Sequence, residues 1–153
     1  MPLTGERVSP TPVTVAIFDN TSNLNLTNTT YAAGAPEVGV TFVAPPTGRV
    51  LITVGGGVRN NAANSDRVFL APEVFEGSDA TTGSQVLAPS VAPYGCGSGG
   101  GFATDDFRYL CRTVMLEDLT PGGTHYVRIV HETSAGSGTA DISAREITVA
   151  PAT

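Results

Sequence analysis

The stretch Val38-Gly39-Val40-Thr41-Phe42-Val43-Ala44-Pro45-Pro46-Thr47-Gly48-Arg49-Val50-Leu51-Ile52-Thr53-Val54 decides the fold class. Val38, Val40 and Phe42 fall on every second position, and so do Val50, Ile52 and Val54. Period two marks a strand with one buried face. Between the two runs lies a turn in which proline fixes φ and Gly48 permits the reversal. The alternation returns at Phe107, Tyr109 and Cys111, which read as the core side of a strand over 107–116 with Arg108 and Arg112 on its other side.

Working outward, Val13 to Phe18 reads as a first strand with Val13, Val15 and Ile17 inward. Residues 19–30, rich in Asn and Thr, read as a hairpin turn and a short edge strand. Further strands are expected over 37–43, 49–54, 67–75, 84–88, 124–133 and 139–150. Pro72 has no N–H for a ladder, so it marks an edge or a bulge. In the last strand Ile142 and Ala144 share one parity and Ile147 and Val149 the other. A bulge near Arg145 and Glu146 would return all four to the core. About eight strands, turn signals every dozen or so residues and no helix signal predict an all-β antiparallel sandwich or barrel.

The chain has 153 residues, enough for one domain with a core of its own. Residues 1–12 carry Pro2, Pro10 and Pro12 and read as an extended arm, with Pro2, Leu3, Arg7 and Val8 as candidate partner contacts. Residues 13–153 read as one sandwich domain. The net charge is −6, with no lysine and eight arginines. That balance and the lack of a basic stripe argue against nucleic acid or an acidic membrane as partner. No apolar run reaches the length of a membrane span. The first residues lack a signal peptide's basic start and apolar core, so synthesis in the cytoplasm is expected.

No catalytic or cofactor set emerges. His125 and His131 share a face with Val127 and Ile129, and no nucleophile or paired acid lies in register with them. Asp66, Glu76, Asp79, Asp105 and Asp106 lie in or near loops but form no calcium-loop pattern. Gly55-Gly56-Gly57 and Gly99-Gly100-Gly101 are not followed by the residues of a phosphate loop and read as turns or places of close backbone approach. Two cysteines cannot complete a structural zinc site. Cys96 and Cys111 either join in a disulfide, if the 89–104 loop folds back, or remain a loop thiol and a buried core thiol. Tyr31, Tyr94 and Phe102 fall in loops, and Tyr94 and Phe102 are the candidate ligand-facing aromatics.

The stretch 40–54 resembles the front half of small jelly-roll modules in virion proteins of phages that infect actinobacteria. Leu119-Thr120-Pro121-Gly122-Gly123-Thr124-His125-Tyr126 and Arg145-Glu146-Ile147-Thr148-Val149-Ala150-Pro151 resemble their closing half. Such modules are similar to the trimeric heads of the complement and tumour-necrosis-factor type. The absence of lysine suits a GC-rich host. The resemblance implies a jelly roll and a non-enzymatic virion structural protein without cofactors, foremost a capsid decoration protein. It would be a homo-oligomer, with the trimer as the form of the related heads, and its partners would be major capsid or tail proteins. The alternatives are a tail, fibre or baseplate component, or a carbohydrate- or receptor-binding module. The closing segment also resembles a fibronectin type III repeat, but the chain exceeds the ~100 residues of such sandwiches and lacks their early tryptophan.

Overall fold

The computed structural model describes residues 12–62, 66–98 and 106–153. Among them run ten strands and one short helix. These are β1 (Val15–Asp19), β2 (Asn23–Leu26), β3 (Ala32–Val43), β4 (Val50–Asn60), β5 (Val68–Glu76), β6 (Gln85–Leu87), α1 (Val91–Tyr94), β7 (Cys96–Gly97), β8 (Arg108–Leu116), β9 (Thr124–Thr133) and β10 (Ala140–Pro151). They form two antiparallel sheets. The first has the order β1-β10-β4-β8, with β2 continuing beside β10. The second has the order β3-β9-β5-β6, with β7 also on β5. From β3 to β5, and again from β8 to β10, the chain changes sheet at each step, the crossing pattern of a jelly roll.

The core lies between the sheets. Val50, Ile52 and Val54 of β4 and Ile147 and Val149 of β10 face Val38 and Phe42 of β3, Leu70 of β5 and Ile129 of β9, all buried. The expected change of phase in β10 is a bulge. Ser143 pairs with Gly57 and Glu146 with Gly55, so Ala144 and Arg145 together oppose Gly56. Ala144 takes up the extra residue at φ 46°, and Ile142, Ala144, Ile147 and Val149 are all buried. Gly55-Gly56-Gly57 is therefore mid-strand and not a turn. A Cβ on Gly56 would lie 2.9 Å from Leu70 Cδ1 of the opposite sheet.

Other expectations shift. Val13 lies before β1 and is 67% exposed. Strand β2 pairs with β10 and forms no hairpin with β1. Strand β3 begins at Ala32 and carries a register shift between Ala33 and Val38. Pro72 falls where the edge of the second sheet is interrupted. Strand β7 pairs with Phe69 and Leu70, β6 with Val74 and Phe75, and no ladder partner on that side meets 71–73 among the described residues. The arm residues Pro2, Leu3, Arg7 and Val8, together with Phe102, Asp105 and Gly99-Gly100-Gly101, lie outside the described residues.

Candidate assembly face

The burial of Val50, Ile52 and Val54 fixes which side of the first sheet points out. Strand β8 follows through its register with β4: Leu51 meets Met115, Thr53 meets Thr113, Gly55 meets Cys111 and Gly57 meets Tyr109. Leu110, Val114 and Leu116 therefore pack against the core, and Tyr109, Cys111, Thr113 and Met115 face outward. This corrects the expectation that Cys111 lies on the core side, and Phe107 and Tyr109 with it. Strand β10 adds Glu146, Thr148 and Ala150 to the outward face through their pairing with Gly55, Thr53 and Leu51. Strand β1 adds Ala16 and Phe18, opposite Thr148 and Glu146.

The middle of this surface carries little charge, with the Arg59–Asp141 pair at one end and the exposed Arg49–Glu117 pair flanking the other. Among the residues just named, Glu146 carries the only charge at neutral pH. Tyr109 is 66% exposed, Phe18 60%, Met115 44% and Leu51 36%. Thr53 and Thr113 satisfy one another through their hydroxyls at 2.7 Å, which leaves fewer polar groups demanding water. Exposed large apolar side chains gathered on one flat face mark an interaction surface, whereas scattered ones do not.

The outward face of the second sheet has the opposite chemistry. Tyr126 Oη donates to Glu37 Oε1 at 2.6 Å. Arg128 Nη1 donates to Glu37 Oε2 at 2.7 Å, and its Nε to Glu73 Oε2 at 2.7 Å. Gln85 Nε2 donates to the other Glu73 oxygen at 2.6 Å, and the Arg128 guanidinium lies 5.4 Å from the centre of the Phe75 ring. Burial alone would raise the Glu37 pKa. The hydrogen bonds from Tyr126 and Arg128 and the Arg128 charge outweigh it and hold that carboxyl below its ordinary range. This side is polar but its charges are spent on one another.

The other sequence-predicted residues have structural roles. Cys96 and Cys111 are free thiols: Cys96 is half-buried against the core and Cys111 is exposed. The expected loop Tyr94 is the last residue of α1, half-buried and packed against the core. His125 stacks on Phe42 with ring centres 5.4 Å apart. Asp66 gathers Ser134, Ala135 and Ser137 into the β9–β10 turn, and Asp79 accepts from Thr81 and Thr82. No group of three His, Cys, Asp or Glu side chains among the described residues could hold a metal. Sequence reasoning did not foresee this exposed face: Tyr109, Cys111 and Met115 alternate with Leu110, Val114 and Leu116, so apolar residues fall on both parities of β8.

No family model matches the sequence, and no curated protein matches it. Solved structures of similar fold exist. VP2 of infectious bursal disease virus, as a subviral particle, is 11% identical with a TM-score of 0.48, over 92% of this chain and 33% of that one. This chain thus spans about a third of the viral chain it resembles. The Eiger TNF of S. frugiperda is 9% identical with a TM-score of 0.48 over 94% of both chains. The C-terminal domain of EclA, described as a sugar-binding protein, is 14% identical with a TM-score of 0.41, over 88% of this chain and 77% of that one.

Proposed function

We propose that this chain is a non-enzymatic structural protein of a virus particle, a capsid decoration protein that coats or cements the shell of a phage head. It self-associates through the outward face of the β1-β10-β4-β8 sheet, and a trimer is the assembly proposed. The observation that carries this reading is the exposed, mostly apolar centre of that face, built from Phe18, Leu51, Thr53, Tyr109, Thr113 and Met115, with Glu146 the charge among them. A chain of net charge −6 repels its own copies at long range. Copies meet at least cost where they carry least charge, and the centre of this sheet supplies that surface. On the second sheet such contact would have to desolvate the Glu37–Arg128–Glu73 network. Weak individual contacts suffice on a shell, because many copies bind together. The arm, residues 1–12, is assigned the contact to neighbouring shell proteins.

Two measurements test the reading. Sedimentation of the purified chain should show a trimer, and the Tyr109→Arg/Met115→Glu variant should sediment as a folded monomer. Both sites are exposed, so the variant keeps its circular dichroism spectrum. Incubation with emptied capsids should show saturable binding that is lost on deleting 1–12. A monomeric wild type that ignores capsids but binds host-wall glycans would replace this reading with the carbohydrate-binding one.

A further inference from the structure

Arg145 is one of the two residues that the β10 bulge sets against Gly56, and its side chain runs into the sandwich. It is 1% exposed. Its Cγ passes Gly56, where a Cβ would lie 3.5 Å away, and its guanidinium rests on Gly34 of β3, where a Cβ would overlap Nη1. The counter-charge is Asp19 of β1, whose Oδ1 accepts from Nη2 at a long 3.3 Å. Nε and Nη1 are buried and have no hydrogen-bond partner among the described residues. His131 of β9 is 4% exposed and sits between Ala32 of β3 and Leu70 of β5, the strand that carries Gly34 and the side chain that meets Gly56 beside the Arg145 stem. Among the described residues, Asn23 of β2, Ala32 and Gly34 of β3, Gly56 of β4 and Leu70 of β5 also lie against the pair, and none of their side chains titrates.

A buried guanidinium with one weak carboxylate partner is under-compensated. A second positive charge beside it, in a medium that screens poorly, has no counter-ion of its own. We propose that Arg145 and His131 form an acid-sensitive joint: protonating His131 expels the guanidinium from the sandwich and frees the corner where β1, β2 and β3 meet. Asn23 bridges that corner, donating to the Ala35 carbonyl at 2.8 Å and accepting from the Ala35 N–H at 2.7 Å, so release of one strand loosens the others.

Supporting this, burial first and the Arg145 charge second push the His131 pKa from 6.5 down to about 4. The folded chain then binds fewer protons than the unfolded chain between these values. Stability is full above pH 6.5 and falls as the pH drops towards 4. The inference concerns the single chain and stands apart from the assembly reading.

Hydrogen exchange of the full chain at pH 7 and pH 4.5, corrected for the intrinsic pH dependence of exchange, tests it. Wild type should lose protection in β1, β2 and the first half of β3 at the lower pH while β4 and β5 keep theirs. His131→Asn should abolish that loss. Arg145→Met, which fills the same space without charge, should melt at or above the wild-type Tm at pH 7 and show a flatter acid dependence. Equal loss in wild type and His131→Asn overturns the joint. So does loss spread evenly over both sheets, or an Arg145→Met variant that melts lower at pH 7 with an unchanged acid dependence.

Discussion

The phenol of Tyr126 crosses Gly39 to reach Glu37. Tyr126 pairs with Thr41 and Gly39 with Arg128, so the side chain runs diagonally across β3. A Cβ on Gly39 would overlap the phenol. The Gly39→Ala variant should therefore break the 2.6 Å bond to Glu37 and cost about 1 kcal/mol in a urea titration. Burial first, and the Glu37 hydrogen bond second, raise the Tyr126 pKa above its ordinary value of 10.0. Ultraviolet titration of the variant should show this phenol moving back towards that value.

Asp141 of β10 is fully buried. It accepts from Arg59 Nε at 2.7 Å, from the Asn25 N–H at 2.7 Å and from Asn61 Nδ2 at 3.0 Å. One carboxylate thus ties β2, β4 and β10 together. Removing it takes the buried carboxylate from an ion pair with Arg59 and leaves the Asn25 N–H without its acceptor, and Asp141→Ala should cost about 3 kcal/mol in denaturant unfolding. Asp141→Asn should cost less, because it keeps an acceptor.

Asp66 predicts a second acid effect, at lower pH than that of His131. Burial would raise its pKa, but donors from Ser137, Ala135 and Ser134 outweigh this and hold it below the ordinary 3.8. A depressed carboxyl contributes stability above its unfolded pKa and loses it as the pH falls through the folded one. Asp66→Asn should therefore melt lower than wild type at pH 7, and the difference should shrink below about pH 3.8. A gap that stays constant with pH would refute the role of the charge.

The two thiols should react at different rates. Cys111 is exposed on the outward face of β8. Cys96 is half-buried, and burial first, with the neighbouring Cys111 second, raises its pKa to about 11. A thiol reagent at pH 8 should label one cysteine quickly and the other slowly, and Cys111→Ser should remove the fast phase. If the chain self-associates through this sheet, the fast phase should also slow as protein concentration rises.

The strands of the core were legible because one face of each is strongly apolar, as at Val50, Ile52 and Val54. The β10 bulge was legible too, since Ile142 and Ile147 cannot both face inward without an added residue. The parity of β8 was not. Arg108 and Arg112 share the parity of Leu110, Val114 and Leu116 and so point the reading away from it, and only register with β4 shows that this is the core side. Nor does local sequence reveal that Arg145 turns inward, because the space it fills comes from Gly34 and Gly56, far away along the chain. Helix α1 is a single turn whose residues carry no periodic signal. It forms at the break in the second sheet's edge, packing beside β5.

That broken edge limits how this chain can add strands. Strand addition needs a continuous row of free backbone groups, and here the row stops at Pro72 between two short fragments. A neighbouring chain cannot zip along this rim to extend the sheet. Any contact made on this side has to use side-chain surfaces in place of backbone pairing, which removes one route to open-ended strand addition.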